Sequence, residues 1–223
     1  RKRAIVEYLW ESQALVGPRS RLSMRHADLT HVDLSGLELT AVNLVDADLT
    51  RLVFSGRGSS AQYAFLTGAR LREADFREAN LLGGRFESAL LEAAKFQSAN
   101  LKSSCFKECK APVTEPDRAV VFSDAVLAEA DFTFTILPYA NFESAHIDEA
   151  RFDQAVLNDA RFGSSQGVKP IFTGAQLARA SFAPKVHHTE PEFQDAVLVN
   201  ADSSSASLWG AKFEDADLRG ATL

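Results

Sequence analysis

The sequence predicts an all-β solenoid, and three patterns favour this fold class. Large apolar residues such as Phe76 and Leu81 recur every five positions over most of the chain. A small residue stands two positions before each of them, as Ala74 and Ala79 do. Residue types also recur at a step of 20, as between Phe76 and Phe96. Because five is neither the helical nor the strand period, we interpret each pentapeptide as one side of a coil that then turns a corner.

The same patterns predict which residues face inward. The small residue lies next to the corner and the large residue fills the interior, whereas the other three residues face solvent and are free to vary. A step of 20 corresponds to four sides per coil. Since Phe and Leu largely alternate as the large residue, Phe columns are expected on two opposite sides, with Leu columns between them. Any coil with an even number of sides would give this alternation, so it favours four sides without requiring them.

The repeats form five blocks that together contain 35 pentapeptides. The large residues of these blocks run over residues 24–54, 66–106, 122–162, 172–182 and 193–223. Turn-forming and charged residues are frequent between the blocks, so we expect loops or bulges near residues 55–63, 107–119, 163–171 and 183–191.

The spacing between blocks predicts the size of each interruption. Two residues are extra between Phe54 and Leu66, and one is extra in each of the intervals 106–122 and 182–193. The interval from 162 to 172 keeps the phase, so a degenerate pentapeptide is expected there, centred on Gly167.

Several pentapeptides follow the pattern A(D/N)LXX closely, namely HADLT (26–30), EADFR (73–77), EANLL (78–82), SANLK (98–102) and DADLR (215–219). They resemble the repeats of the pentapeptide-repeat proteins, and the resemblance extends over nearly all of residues 22–223. It implies a right-handed quadrilateral β-helix. The 35 sides correspond to about nine coils, and at a strand spacing of roughly 4.8 Å the rod would be about 40 Å long.

A short α-helix is expected before the repeats. The apolar residues of segment 2–16 recur at amphipathic helical spacing, and Gly17 followed by Pro18 would end the helix. The chain is therefore divided into a helix in residues 1–18, which caps the first coil, and a β-helix in residues 19–223. A helix that binds a partner or lies near a membrane is the alternative.

Both ends of the chain raise expectations about what lies beyond them. The only methionine, Met24, lies inside the repeat region, so we expect the natural protein to extend before Arg1, where a membrane tether could lie. The repeat continues to Leu223 without a visible cap. A solenoid needs its ends covered, so we expect either a trimmed chain or a second molecule on that end, as in an end-to-end dimer.

The composition indicates a soluble globular protein. With 46% hydrophobic and 24% charged residues, a formal charge of −6 and a pI near 5.4, the chain is not of the disordered type. No apolar run approaches the roughly 18 residues of a membrane span, and no secretory signal peptide is recognisable. Cys105 and Cys109 are expected to be free thiols in a reducing compartment, with a local disulfide as the alternative. We expect a cytoplasmic protein, of bacterial origin.

The sequence does not contain the common motifs of enzymes. GxSxG, HExxH, P-loop and dinucleotide-binding patterns are missing. His146 falls at an outward position, and His187 and His188 are assigned to a loop with Glu190 and Glu192, where metal binding is an alternative. A narrow rod filled with Phe and Leu leaves no interior space for a substrate. We therefore predict a protein that is not an enzyme and that has no cofactor, metal or catalytic residues.

The outer surface of residues 111–162 is the candidate functional region. This segment has ten acidic residues against three arginines, a net charge of −7. A solvated solenoid face or an anionic ridge for a basic partner would explain the charge. Outward apolar residues gather in the same segment, and such clusters rimmed by charge mark interaction sites. The candidate partner surface comprises Phe134, Ile136, Tyr139, Val156, Glu129, Asp148 and Glu149.

Two functions are compatible with these features. The first is a non-enzymatic scaffold or module that binds another protein. The second follows from the resemblance alone. Some pentapeptide-repeat proteins mimic duplex DNA, bind DNA gyrase or topoisomerase IV, and protect against quinolones. We predict the scaffold, with another protein as partner and no direct contact with nucleic acid. The basic balance of residues 55–110 and the missing C-terminal dimerising element argue against the DNA mimic.

Overall fold

The computed structural model describes residues 2–11, 23–183 and 186–222. The chain forms a right-handed four-sided β-helix preceded by helix α1, Lys2–Glu11. Residues 20 positions apart pair in parallel in the regular coils, as Val121 does with Asn141. The predicted fold class and the step of 20 are therefore confirmed, and the four sides follow from five residues per side.

The side formed by residues 74–78 illustrates how five residues build a straight edge and a corner. Ala74 is the small residue, buried beside the backbone, and Asp75 is the pairing residue, which faces outward and bonds to the neighbouring coils. Phe76 is the central residue and points into the core. Arg77 and Glu78 are the first and second corner residues. The φ of Glu78 is +60°, as the third residue of a type II turn requires, and the Ala79 N–H closes the turn on the Phe76 carbonyl at 3.1 Å.

The four sides of successive coils stack into four faces. In one coil, face 1 is centred on Phe132, face 2 on Leu137, face 3 on Phe142 and face 4 on Ile147, and the other coils follow in register. Corner 1/2 joins faces 1 and 2, and the other corners are named likewise. Nine coil-to-coil steps separate the pairing residues of face 2, which are Asp28, Asp48, Arg70, Leu90, Lys110, Ile136, Val156, Gln176, Val197 and Asp217.

Phenylalanines form two columns on the opposite faces 1 and 3, as the alternation predicts. Within a column the rings stack, as in the pair Phe86 and Phe106, whose centroids are 4.5 Å apart at an interplanar angle of 5°. Across the core the columns meet edge to face, as in Phe86 and Phe96 at 5.8 Å and 89°. Both geometries are favourable for aromatic pairs. The interior is therefore a continuous herringbone from Phe76 to Phe193.

The first coils are packed differently, because leucine replaces phenylalanine there. A small apolar void of about 20 Å³ lies among these side chains, which include Leu29, Leu34 and Leu44. Helix α1 lies against the same coils. Val6 is buried in the core, and the Lys2 ammonium is 2.9 Å from the Asp28 carboxylate. The remainder of the predicted helix, residues 12–16, and its end at Gly17 and Pro18 lie outside the described residues.

The interruptions differ from the expectation in one place. Lys95 pairs with Val121, 26 residues further on, so six residues are extra there and not one. The expected count assumed another pentapeptide. Instead Ala111 is the central residue of a regular side of face 2, and a loop with a 3₁₀ helix, Pro116–Arg118, follows at corner 2/3. The two extra residues after Val53 and the single extra residue before His187 agree with the structure.

Residues 163–171 and 186–191, where loops or bulges are expected, belong to regular coils, and residues 165–169 and 186–190 form sides of face 4. They contain β1, Gln166–Val168, and β2, His187–Thr189, which pair in parallel with each other, and β2 pairs with β3, Ser207–Trp209. Pro170 and Pro191 occupy the small-residue position after β1 and β2, where the N–H normally closes the corner. Proline has no N–H, so these two corners lack that hydrogen bond.

The assignment of His188 to a loop is wrong. His188 is the central residue of its side and only 1% of its surface is exposed. Gly167 is the central residue directly before it on face 4, as predicted. A Cβ on Gly167 would lie 2.9 Å from the backbone carbon of Ile147, so only glycine permits this close approach of the two coils. The turn-forming residues near positions 167 and 188 therefore accompany unusual central residues of the core and do not form loops.

Candidate partner-binding surface

Face 2 carries an uncharged strip in the second half of the rod. In four successive coils, the pairing residue and the first corner residue of this face are both uncharged. We call these eight residues the face 2 strip: Ile136, Pro138, Val156, Asn158, Gln176, Ala178, Val197 and Val199. All are half-buried except the exposed Gln176. Lys110 precedes the strip and Asp217 follows it, so the strip has defined ends.

Two aromatic residues stand at the corners beside the first coil of the strip. Phe134 lies at corner 1/2 and is 58% exposed, and Tyr139 lies at corner 2/3 and is half-buried. Both are second corner residues with positive φ, 59° for Phe134 and 61° for Tyr139. Glycine and asparagine adopt this conformation more readily than bulky side chains do. Neither aromatic ring is therefore placed where folding alone would favour it.

The structure brings together the four apolar residues of the predicted surface and separates them from the three acidic ones. Ile136 and Val156 pair directly in adjacent coils, and Phe134 and Tyr139 flank them. Glu129 and Glu149 occupy the same corner, 4/1, in successive coils, and Asp148 precedes Glu149 there. Face 1 lies between this corner and Phe134. The predicted residues thus belong to two surfaces and not to one.

The acidic group at corner 4/1 is partly neutralised. Glu129 accepts a hydrogen bond from Ser103 Oγ at 2.8 Å and lies 3.2 Å from Lys102 Nζ. The Ser103 hydroxyl and then the Lys102 ammonium hold the pKa of Glu129 below its usual range. Asp148 accepts the backbone N–H of Val168 at 2.9 Å. An anionic ridge at this corner is therefore less pronounced than the sequence charge suggests.

Other carboxylates of residues 111–162 also have cationic partners. Arg161 donates twice to Glu143, at 2.6 and 3.0 Å, and Arg179 donates to both oxygens of Asp159, at 2.7 and 2.6 Å. Lys107 lies 3.0 Å from Asp131. Several carboxylates of this segment are thus paired with basic residues, two of which, Lys107 and Arg179, lie outside it.

Corner 1/2 is the acidic margin of the face 2 strip. Within the described residues, Glu108 and Asp195 form no ion pair, and both are exposed second corner residues of face 1. Glu108 lies one coil before Phe134, next to Lys110, and Asp195 lies three coils after it, next to Val197. The opposite margin, corner 2/3, carries the paired Asp159 and Arg179. The strip therefore has one net negative side and one side whose charges cancel.

The six-residue insertion borders a groove beside Tyr139. The groove has a volume of about 590 Å³ and runs along corner 2/3 and face 3. Its walls are Pro116, Asp117, Ala119, Val121, Tyr139, Asn141, Asp159, Arg161, Arg179 and Ser181. Both arginines of the groove are bonded to carboxylates, so the groove offers a mixed polar surface next to the apolar strip.

A chain of ion pairs holds the insertion against the earlier coils. Arg118 of the 3₁₀ helix is paired with Glu92, and the Ala93 N–H donates to the Arg118 carbonyl at 2.8 Å. Arg72 lies between Glu73 and Glu92, at 3.5 and 3.6 Å. The groove wall is thereby anchored to the body of the rod by backbone and side-chain contacts.

Among the described residues, Ser165 and His188 form a polar pair in the interior, in a setting unsuited to catalysis. Ser165 Oγ donates to the Phe162 carbonyl at 2.6 Å and lies 3.1 Å from His188 Nε2. Since the Ser165 proton is used, Nε2 of His188 is the donor in this contact. Burial lowers the pKa of His188 to about 3, so the imidazole is neutral at pH 7. Both residues are fully enclosed, so no substrate reaches them.

The thiols and the metal ligands give no chemical site in the described part of the chain. Cys105 and Cys109 are free; Cys105 faces outward, whereas Cys109 is buried and donates to the Phe86 carbonyl at 2.8 Å. Burial raises the pKa of both thiols. Residues 2–11, 23–183 and 186–222 contain no cluster of three or more His, Cys, Asp or Glu residues that could hold a metal ion. His187 faces outward, away from the buried His188.

Sequence reasoning missed the continuation of the strip beyond Val156. No local sequence pattern distinguishes the residues of this continuation, which include Pro138, Asn158, Ala178, Val197 and Val199. Sorting the chain by face and by position within each side would have found them, because on face 2 the pairing and first corner positions are both uncharged in four successive coils. The spacing does not predict the groove, because it gives the insertion one extra residue and not six. None of the described residues forms a helix with the length and hydrophobicity needed to cross a membrane.

Comparisons with known proteins identify the family. The family model for pentapeptide repeats matches eight copies, in residues 20–56, 57–92, 125–163 and 192–223. A crystal structure of HetL, a pentapeptide repeat protein involved in heterocyst differentiation regulation from the cyanobacterium Nostoc sp. strain PCC 7120, is similar, with a TM-score of 0.68 and 20% identity over 97% of this chain and 94% of HetL.

A second similar structure is a trypsin-treated form of QnrB1, a plasmid-mediated fluoroquinolone resistance protein. Its TM-score is 0.52, with 19% identity over 87% of this chain and 90% of that one. At these identities the two likenesses show the fold alone. No curated protein sequence matches the chain. The family model covers more than half of the residues, and the protein is a member of the pentapeptide repeat family.

Proposed function

We propose that the protein is a non-enzymatic scaffold that binds another protein through the face 2 strip. The observation that supports this most directly is the loss of charge at eight outward positions in four successive coils. In the earlier coils, the same positions carry Asp28, Asp48, Arg70, Arg72 and Glu92. The fold therefore accepts charge there, and an uncharged surface needs another explanation. Burial against a partner is that explanation.

An enzymatic role has little support from the geometry. The core void of about 20 Å³ has room for no more than a water molecule. The Ser165 and His188 pair is sealed by phenylalanine rings on faces 1 and 3. Binding at the outer surface is what a filled rod can offer, and the family is one of structural repeats.

The DNA-mimic function is the less favoured candidate. Mimicry of duplex DNA would require rows of carboxylates free to replace phosphates. Here Asp131, Glu143 and Asp159 are each paired with a lysine or an arginine. The similarity to QnrB1 concerns the fold, and its resistance function is not carried over to this chain. A DNA supercoiling assay with gyrase and a quinolone tests the candidate directly, and we expect no change at micromolar protein.

A comparison of three proteins tests the scaffold function. Wild-type protein, Val156→Lys and Gln166→Lys are used as bait in extracts of the native host, and bound proteins are quantified by mass spectrometry. Gln166 is a pairing residue like Val156, but it lies on face 4. We expect a partner that is recovered by wild-type and Gln166→Lys and is reduced at least tenfold with Val156→Lys. Equal recovery by all three proteins would refute binding through the strip.

A further inference from the structure

The face 2 strip has the dimensions of one helix and not of a dimer interface. Four coils at about 4.8 Å give a strip roughly 20 Å long with its side chains, and two outward positions give a width of about 10 Å. Such a strip has an area near 200 Å², whereas a stable protein interface buries about 800 Å² per partner. Three turns of an α-helix are about 16 Å long and about 10 Å wide. A second copy of the rod is therefore poorly matched to this surface.

The backbone of the strip excludes an added β-strand. Val156 N–H donates to the Thr135 carbonyl at 2.8 Å, and the Val156 carbonyl accepts the Leu137 N–H at 2.9 Å. The same pattern continues in the following coil, where Gln176 N–H donates to the Ala155 carbonyl. Strand addition needs unpaired backbone groups at a sheet edge. The strip offers side chains only, and side-chain recognition of this width suits a helix.

The charges beside the strip indicate which side of the bound helix should be basic. Corner 1/2 carries Glu108 and Asp195, for which the described residues provide no ion-pair partner. At corner 2/3 the carboxylate of Asp159 is bonded on both oxygens to Arg179. A bound helix would thus meet negative charge at the two ends of one flank, from Glu108 in the coil before the strip and from Asp195 in its last coil. Lysine or arginine on that flank complements it, and like charge there would be unfavourable.

We infer that the partner contributes an amphipathic α-helix of about three turns, with small or branched apolar residues on the strip and Lys or Arg along corner 1/2. This inference rests on the proposed function and adds the chemistry of the partner. Phe134 and Tyr139, at the two corners of the first coil, bracket one end of the helix. The helix axis runs along the rod, across the coils, because only that direction keeps it on uncharged residues.

Photo-crosslinking tests the inference. The photoreactive residue p-benzoylphenylalanine replaces Val156 in one sample and Gln166 in the control, and crosslinked peptides are sequenced after irradiation in the native host. We expect a peptide of another protein, crosslinked only from position 156, with apolar residues at helical spacing and Lys or Arg on one side. A crosslink to a second copy of this chain, or to an extended or acidic segment, would overturn the helix.

A synthetic peptide of the crosslinked segment tests the helical partner separately from the scaffold function. We expect it to gain helical circular dichroism on binding, and Glu108→Lys with Asp195→Lys to weaken its binding at least tenfold. The matched control is Glu149→Lys, which changes a second corner residue at corner 4/1 and should leave the affinity unchanged. If a partner crosslinks at position 156 but its peptide binds without helix formation, the scaffold function stands and the helix is wrong. If position 156 gives no crosslink above position 166, the proposed function fails as well.

Discussion

The two halves of face 2 have the same backbone and opposite surfaces. In the coils before the insertion, the outward positions form ion pairs, such as Arg70 with Asp48 at 3.6 Å, and Arg72 with Glu92. In the coils after it, from Ile136 to Val199, the same positions are uncharged. Since the coil geometry is equal in the two halves, the difference cannot come from the demands of the fold. The difference therefore separates the residues that the repeat fold requires from the surface residues that are specific to this protein.

The comparison applies only to outward positions, because the inward positions obey one rule along the whole rod. Most small and central residues are buried in both halves, and on faces 1 and 3 the main change is from leucine to phenylalanine. Substitutions at inward and outward positions should therefore differ by several kcal/mol. The following predictions test this separation, beginning with the largest effect.

A charge in the phenylalanine herringbone should unfold the protein. Phe152 stacks on Phe132 at 5.0 Å and on Phe172 at 4.9 Å, and it is fully buried. Phe152→Asp removes a large buried ring and places a carboxylate in the core, and we expect a loss of at least about 4 kcal/mol in the free energy of unfolding. Urea denaturation followed by circular dichroism measures it. Gln154→Asp, an exposed corner substitution, is the control and should lie within about 0.5 kcal/mol of wild type.

The buried imidazole of His188 should make the protein sensitive to acid. Its pKa is lowered from 6.5 to about 3 in the folded chain, mainly by burial. Below pH 6.5 the unfolded chain therefore binds a proton that the folded chain does not, so stability falls as the pH falls towards 3. We expect this group to account for a loss of roughly 2–3 kcal/mol between pH 7 and pH 4.5.

The substitution His188→Leu isolates that contribution. Leucine or isoleucine is the central residue in most other coils of face 4, including Leu127 and Ile147, so the variant should fold. Denaturation curves at several pH values should show a smaller acid loss for the variant than for wild type. An identical pH dependence of the two proteins would mean that His188 is protonated in the folded state or that it is not buried.

The corner residue Phe134 should oppose folding slightly while it supports binding. Its φ of 59° is unfavourable for a bulky side chain, whereas asparagine tolerates this conformation. We expect Phe134→Asn to raise the free energy of unfolding by about 0.5–1 kcal/mol and to weaken partner binding at least tenfold. Denaturation and a binding titration, performed on the same preparation, measure the expected gain in stability and the expected loss of affinity. A stability loss accompanied by unchanged binding would contradict this assignment.

Charge removal in the earlier half of face 2 should have the smallest effect. Glu92 is paired with Arg118 and Arg72, and its side chain is 32% exposed. Pairs at this exposure contribute little, so Glu92→Gln should cost no more than about 1 kcal/mol. Thermal denaturation in low and high salt measures the change. A loss of several kcal/mol would show that the ion pairs are structural and would weaken the comparison between the two halves.

The fold could be predicted almost completely from the sequence, because the repeat determines the interior. Ala74 and Phe76 were assigned correctly from spacing alone, and so were the opposite phenylalanine columns. Spacing cannot distinguish one extra residue from six, because the two counts differ by one whole pentapeptide. Spacing also does not identify His188 as a central residue, because the residues around it are of types that are common in loops.

The surface could be predicted only in part. Ile136 and Val156 were grouped correctly since they are 20 residues apart, whereas Glu129 and Asp148 were joined to them although they lie at another corner. Residues that are close in sequence need not share a face, because the position within the coil determines which surface a residue belongs to. Exposure, ion pairing and the groove beside the insertion depend on side-chain conformations that the repeat pattern leaves free.

The most direct test of the central claim is a paired measurement on Val156→Lys. The face 2 strip is held to be free of folding constraints and required for binding. The account predicts a free energy of unfolding within about 0.5 kcal/mol of wild type together with at least a tenfold loss of partner recovery. A loss of several kcal/mol in stability, or full recovery of the partner by a folded Val156→Lys protein, would contradict it.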